Sequence, residues 1–96
     1  MLFAVICTDK PGALETRKAT RREHLEHLKA LGDKLKLAGP FLTEGDATPC
    51  GSLLVIEGAS AAEVKAIADA DPYAKAGVFQ SVDVRPWNLV LGTIGK

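Results

Sequence analysis

Residues 2–7 form an unbroken apolar run, LFAVIC, and Thr8-Asp9-Lys10-Pro11-Gly12 closes it with turn-forming chemistry. The pattern predicts a buried strand followed by a loop. Residues 14–38 contain no proline, are rich in Leu, Ala, Lys, Glu and Arg, and run into Gly39-Pro40, which predicts one long helix. A short strand over 41–44 and a second apolar run over 52–57, joined by the turn-rich residues 45–49, read as a short hairpin. Ser60 and Glu63 have the S-x-x-E spacing of a capping box and open a helix over 61–70 that stops at Asp71-Pro72. Residues 78–87 read as a final strand, and the chain after Pro86 as a tail.

The order β-α-β-β-α-β predicts a ferredoxin-like α+β fold, a four-stranded antiparallel sheet with both helices on one face. In the first strand Leu2, Ala4 and Ile6 alternate with Phe3, Val5 and Cys7, so neither face reads as solvated. Two-sided apolarity predicts a homodimer packed sheet to sheet; the alternative cover is the apolar tail around Leu89, Val90, Leu91 and Ile94.

The chain has 96 residues, enough for one domain over 1–96, with its core in 1–88 and a tail in 89–96. Lys plus Arg and Asp plus Glu are both 12, so no global field draws it to nucleic acid or to an anionic membrane, and neither is expected as a partner. Cys7 and Cys50 lie in no C-x-x-C or Cys/His metal spacing and read as reduced, with Cys7 inert in its strand and Cys50 open to oxidation. The opening residues lack a basic segment, and their apolar run, ending at Thr8, is too short for a signal peptide or a membrane span, which makes cytoplasmic the expected location. Phosphate-binding glycine motifs and RNA-type aromatic motifs are absent, and no organic cofactor is expected.

Candidate chemistry sits on the first helix. At about 100° per residue, Leu28, Leu31, Leu35 and Ala38 fall within about 40° of His24, and Arg17 and Arg21 continue the same face toward the N-terminus. A buried stripe that changes from leucine to His and Arg predicts a polar cleft at that end. A core histidine bonded to a backbone carbonyl, with arginines reaching to solvent, fits the stripe equally. The topology gathers Thr8 and Asp9, Arg17, Arg21 and His24, Gly51 and Ser52, and Asp71, Pro72 and Tyr73 at one end of the molecule. Asp71 follows a helix C-terminus, where the dipole gives a carboxylate no support, though Asp before Pro is also ordinary turn chemistry. A carboxylate beside an imidazole fixes its tautomer and makes it a stronger base, as acid/base catalysis needs. His27, at the stripe's edge, reads as a surface residue. Its pairing with His24, Glu23 and Glu26 does not converge on a metal, and none is expected. Ser52 after Gly51 fits a hydrogen bond to a ligand better than a nucleophile. Tyr73 is a candidate pocket wall.

At these residues the chain resembles the YCII-related (YciI-like) family. The matching features are the opening MLFAVICTDKPG, Arg21-x-x-His24-Leu25, Ala38-Gly39-Pro40, Gly51-Ser52, the segment from Ala68 to Tyr73, and Ala76-Gly77-Val78 leading to Arg85-Pro86-Trp87. The resemblance implies a dimeric α/β barrel, a site built on a His and an Asp that map to His24 and Asp71, and proton-transfer chemistry on small cyclic or aromatic compounds. The chain departs from the family pattern at Arg22, where a proline often sits, and in its short hairpin, which would leave the pocket more open. The resulting expectation is a lyase or isomerase in which His24 moves the proton, Asp71 orients it, and Arg17, Arg21, Ser52 and Tyr73 contact a small-molecule ligand. A metabolite-binding or regulatory module of the same fold, or a purely structural dimer, would use the same elements without turnover.

Overall fold

The computed structural model describes residues 1–94. Strand β1 (Leu2–Asp9) leads into helix α1 (Leu14–Ala30), strands β2 (Leu35–Leu42) and β3 (Pro49–Glu57), helix α2 (Ala61–Asp69), the one-turn helix α3 (Pro72–Lys75) and strand β4 (Phe79–Trp87). The sheet order is β2-β3-β1-β4, and every neighbouring pair is antiparallel. This is the expected ferredoxin-like α+β arrangement, with the helices on one side. β1 is central because it is apolar on both faces, whereas the outer strands β2 and β4 each contain a proline, Pro40 and Pro86, which edges tolerate.

Phe3, Val5 and Cys7 point to the helices and join Leu28, Leu54, Ile56, Val64 and Ala68 in the core. The opposite face carries Leu2, Ala4 and Ile6 half-buried, with Leu37, Phe41 and Trp87 exposed. Val90 and Leu91 in the tail are 80% and 88% exposed, so they bury no apolar surface against that face. The tail's final residues, 95 and 96, lie outside the described residues.

The expected helix over 14–38 ends at Ala30. Leu31 donates back to the Leu28 carbonyl, Gly32 takes φ +60°, and a single tight turn over Gly32–Lys34 releases the chain into β2. Leu35 and Ala38 therefore belong to a strand: pairing with β3 outweighs the helix preference of Leu, Lys and Ala. The hairpin is correspondingly long, with strands of 8 and 9 residues rather than the short pieces expected at 41–44 and 52–57. Its turn is closed by Thr43, whose hydroxyl donates to Asp46 and accepts from the Thr48 N–H. At α2 the predicted cap forms: the Ser60 hydroxyl accepts from the Glu63 N–H at 3.1 Å.

Candidate functional site

Two inward positions on α1, Arg17 and His24, lie two turns apart on one face and are both buried, at 6% and 7% exposure. Each rests on a carboxylate supplied by another element. Behind His24 is Asp71, only 1% exposed, whose carboxylate oxygens lie 2.9 and 3.0 Å from Nδ1. Asp71 is not stranded at the end of α2, as its sequence position suggests. It is the N-cap of α3, accepting from the Tyr73 N–H at 2.9 Å, with Pro72 in the first turn, where its missing N–H costs nothing. The same carboxylate thus starts a helix and anchors an imidazole. Facing an ionised Asp71, which can only accept, Nδ1 carries a proton, and in the neutral ring Nε2 then keeps its lone pair.

Behind Arg17 is Asp9, at the irregularity that ends the β1–β4 register. The guanidinium donates from Nε to Asp9 Oδ2 at 2.7 Å, and from Nη2 to Asp9 Oδ1 and to Ser52 Oγ, both at 2.9 Å. Burial opposes the charge on Arg17, but the hydrogen bonds and charge of Asp9 outweigh it and hold the guanidinium more firmly protonated than usual. Ser52 reaches this point because Gly51 lets β3 approach β1: a Cβ there would sit 2.5 Å from the Cys7 carbonyl oxygen.

Tyr73 joins the two pairs. Its ring stacks on His24 with centroids 3.8 Å apart and 10° between planes, and the Arg17 guanidinium carbon lies 4.6 Å from the same ring's centroid. Burial pushes the pKa of its hydroxyl above the ordinary value, so it keeps its proton more firmly, even though Arg17 and Arg21 oppose the rise. Burial, reinforced by Asp71, likewise pushes the Cys7 thiol up to about 12, so Cys7 is an inert core thiol while Cys50 is exposed.

In front of these groups is a cleft of about 240 Å³. His24, Arg17, Ser52 and Tyr73 form its polar and aromatic inner wall, Leu14, Leu25, Leu28 and Leu54 its apolar lining, and Lys18 and Arg21 add positive charge. Pro40 and Pro49 of the hairpin close the far side. All six residues named from the sequence are in or directly behind this cleft, with Arg21 exposed and Asp71 behind His24. Asp9 had been placed at this end of the molecule but given no role, and Lys18 was not singled out. The signal for Asp9 is a lone carboxylate where a buried strand ends in a turn. His27 is not the surface residue expected: it is half-buried and its Nε2 lies 3.1 Å from the Ile67 carbonyl of α2. That is the bland role the stripe had equally allowed for His24. Among the described residues no group of three or more His, Cys, Asp or Glu side chains is placed to hold a metal ion. Nor is any helix among them long and apolar enough to cross a membrane.

Residues 1–88 match the family described as the YCII-related domain. Protein YciI of Escherichia coli O6:H1 is 37% identical over 97 aligned positions, covering 94% of this chain and 99% of that protein. An uncharacterized protein of Haemophilus influenzae is 34% identical over the same coverage. Among solved structures, the 5-chloro-2-hydroxyhydroquinone dehydrochlorinase TftG from Burkholderia phenoliruptrix AC1100, in complex with 2,5-dihydroxybenzoquinone, is similar with a TM-score of 0.86. It is 35% identical, and the match covers 92% of this chain and 94% of that one.

Proposed function

The chain belongs to the YCII-related family, and from that premise we propose that it is a small-molecule enzyme of lyase or isomerase type working by proton transfer. The observation that carries this reading is the buried Asp71–His24 contact, at 2.9 Å, behind an imidazole that lines a cleft. Nε2 takes a proton from the substrate, and Asp71 holds the ring in the required tautomer and stabilises the imidazolium that forms. In an elimination the leaving group departs with its bonding pair as that proton is lost. In an isomerisation His24 returns the proton to a second atom.

The apolar lining and the stacked Tyr73 suit a single substituted ring, and the likeness to a dehydrochlorinase of a hydroxylated ring supports the same choice. Arg17 and Ser52 contact it from the inner wall and Arg21 from the rim. None of these steps calls on an organic cofactor. A homodimer through the open sheet face, where Leu37, Phe41 and Trp87 stand exposed, would bury that face and close the barrel.

Turnover of hydroxylated and halogenated monocyclic compounds, beginning with 5-chloro-2-hydroxyhydroquinone, tests the reading. Product formation by the wild type, lost in His24→Ala with the fold intact by circular dichroism, is the expected result. Full activity in His24→Ala removes His24 from the chemistry, and tight binding with no product points instead to a metabolite-binding module.

A further inference from the structure

Arg17 carries five N–H groups, and three of them are engaged. Nε–H and one Nη2–H go to the two oxygens of Asp9, and the other Nη2–H goes to Ser52 Oγ. The two protons on Nη1 make no hydrogen bond of good geometry, although the Tyr73 hydroxyl stands close enough to the guanidinium to support its charge. Among the described residues no buried side-chain nitrogen or oxygen lacks a partner, so Nη1 is not sealed in the core, and Arg17 lines the cleft. Ser52 Oγ spends a lone pair on Arg17, which leaves its own proton to be donated, and Ser52 lines the same cleft. Asp9, with a side chain only 7% exposed, stands behind both and is not part of the lining.

We propose that Asp9 is a positioning residue that makes Arg17 and Ser52 a charge-compensated donor pair, a site for a substrate oxygen that arrives uncharged and gathers negative charge as His24 removes the neighbouring proton. This rests on the reading of His24 as the proton carrier and says what lies opposite it. The bidentate Asp9 contact fixes the plane of the guanidinium, so its free donors are oriented before the substrate binds. It also cancels the formal charge of Arg17, so a carbonyl or un-ionised hydroxyl enters without facing a bare cation in a buried site. Arg21 differs in both respects: it is exposed at the rim and has no ion-pair partner among the described residues, which places a substrate's permanent negative group at the mouth.

The test uses 4-nitrophenol as a probe, read by the visible absorption of its phenolate at a pH where the free probe is half ionised. The wild type is expected to bind it with a higher phenolate fraction than in solution. Ser52→Ala removes one donor and should lower the bound phenolate-to-phenol ratio about fivefold, the weight of one net hydrogen bond. Asp9→Asn leaves Arg17 uncompensated and should raise that ratio about tenfold. If Asp9 only supports the fold, both forms weaken together and the ratio stays put, which overturns the proposal. An unchanged ratio in Ser52→Ala overturns it too, as does failure of the wild type to bind the probe at millimolar concentration. Ser52→Ala keeps the Asp9–Arg17 pair and decides the question should Asp9→Asn not fold. His24→Ala should retain the wild-type ratio; its collapse there would assign the effect to the imidazole and sink the donor pair. Turnover in that variant bears on the proton carrier alone, so the two readings fail separately.

Discussion

The two histidines of α1 use the same materials differently. His24, like Arg17 two turns before it, faces inward over an open cleft and is held from behind by a carboxylate. One turn beyond His24, His27 also turns toward the protein, but its partner is the neutral Ile67 carbonyl, on the side of the helix away from the cleft lining. The residue type is the same and the helix is the same. What separates the two imidazoles is a charged partner behind His24 and accessible space in front of it.

Several substitutions would break or sharpen that contrast. Replacing His24 with Gln should lower kcat by roughly 10²- to 10⁴-fold, the usual weight of a general acid or base. His27→Gln should leave kcat within about twofold, measured side by side on the same substrate. Leu28→Ala, where the core meets the cleft wall, should cost about 2–5 kcal/mol in urea unfolding because it empties a packed site. Asp71 acts at both levels: Asp71→Asn keeps a capping oxygen for the Tyr73 N–H and should lose activity with little stability, whereas Asp71→Ala should also lose about 1–2 kcal/mol with the cap. A comparable stability loss in both variants would show that the charge itself holds the site together.

The smallest effect concerns Cys7. Its folded ionisation near 12 lies above the ordinary value of 9.0, so the folded state keeps a proton that the unfolded chain releases. Stability from this group is complete below pH 9 and falls as pH rises toward 12. Cys7→Ala should flatten that alkaline decline in denaturant titrations. At neutral pH, Cys50 should react with a thiol reagent while Cys7 does so only on unfolding.

The strands and helices with local signatures were legible in the sequence. β1 announced itself as an apolar run, α2 by its Ser60–Glu63 spacing, and the His24 stripe by helical periodicity. The end of α1 was not, because Leu31 to Ala38 is composed of good helix formers and the pairing that draws 35–42 into the sheet comes from β3, distant in sequence. The Leu35-Lys36-Leu37 alternation was the local hint. Asp71 was found as a partner for His24 but its cap on α3 was missed, although Asp followed by Pro is the chemistry of a helix start as well as of a turn. The Asp9–Arg17 contact could not be seen in the chain alone. It depends on a strand end and a helix face meeting in space, and sequence spacing records neither.

The prolines in the two outer strands have a consequence for solubility. An exposed strand edge with an unbroken row of N–H donors is a template on which further chains can stack without limit. Pro40 in β2 and Pro86 in β4 each interrupt that row, so neither margin of the sheet offers a continuous ladder to a newcomer. Growth into fibres by strand pairing is therefore disfavoured on both sides of the sheet.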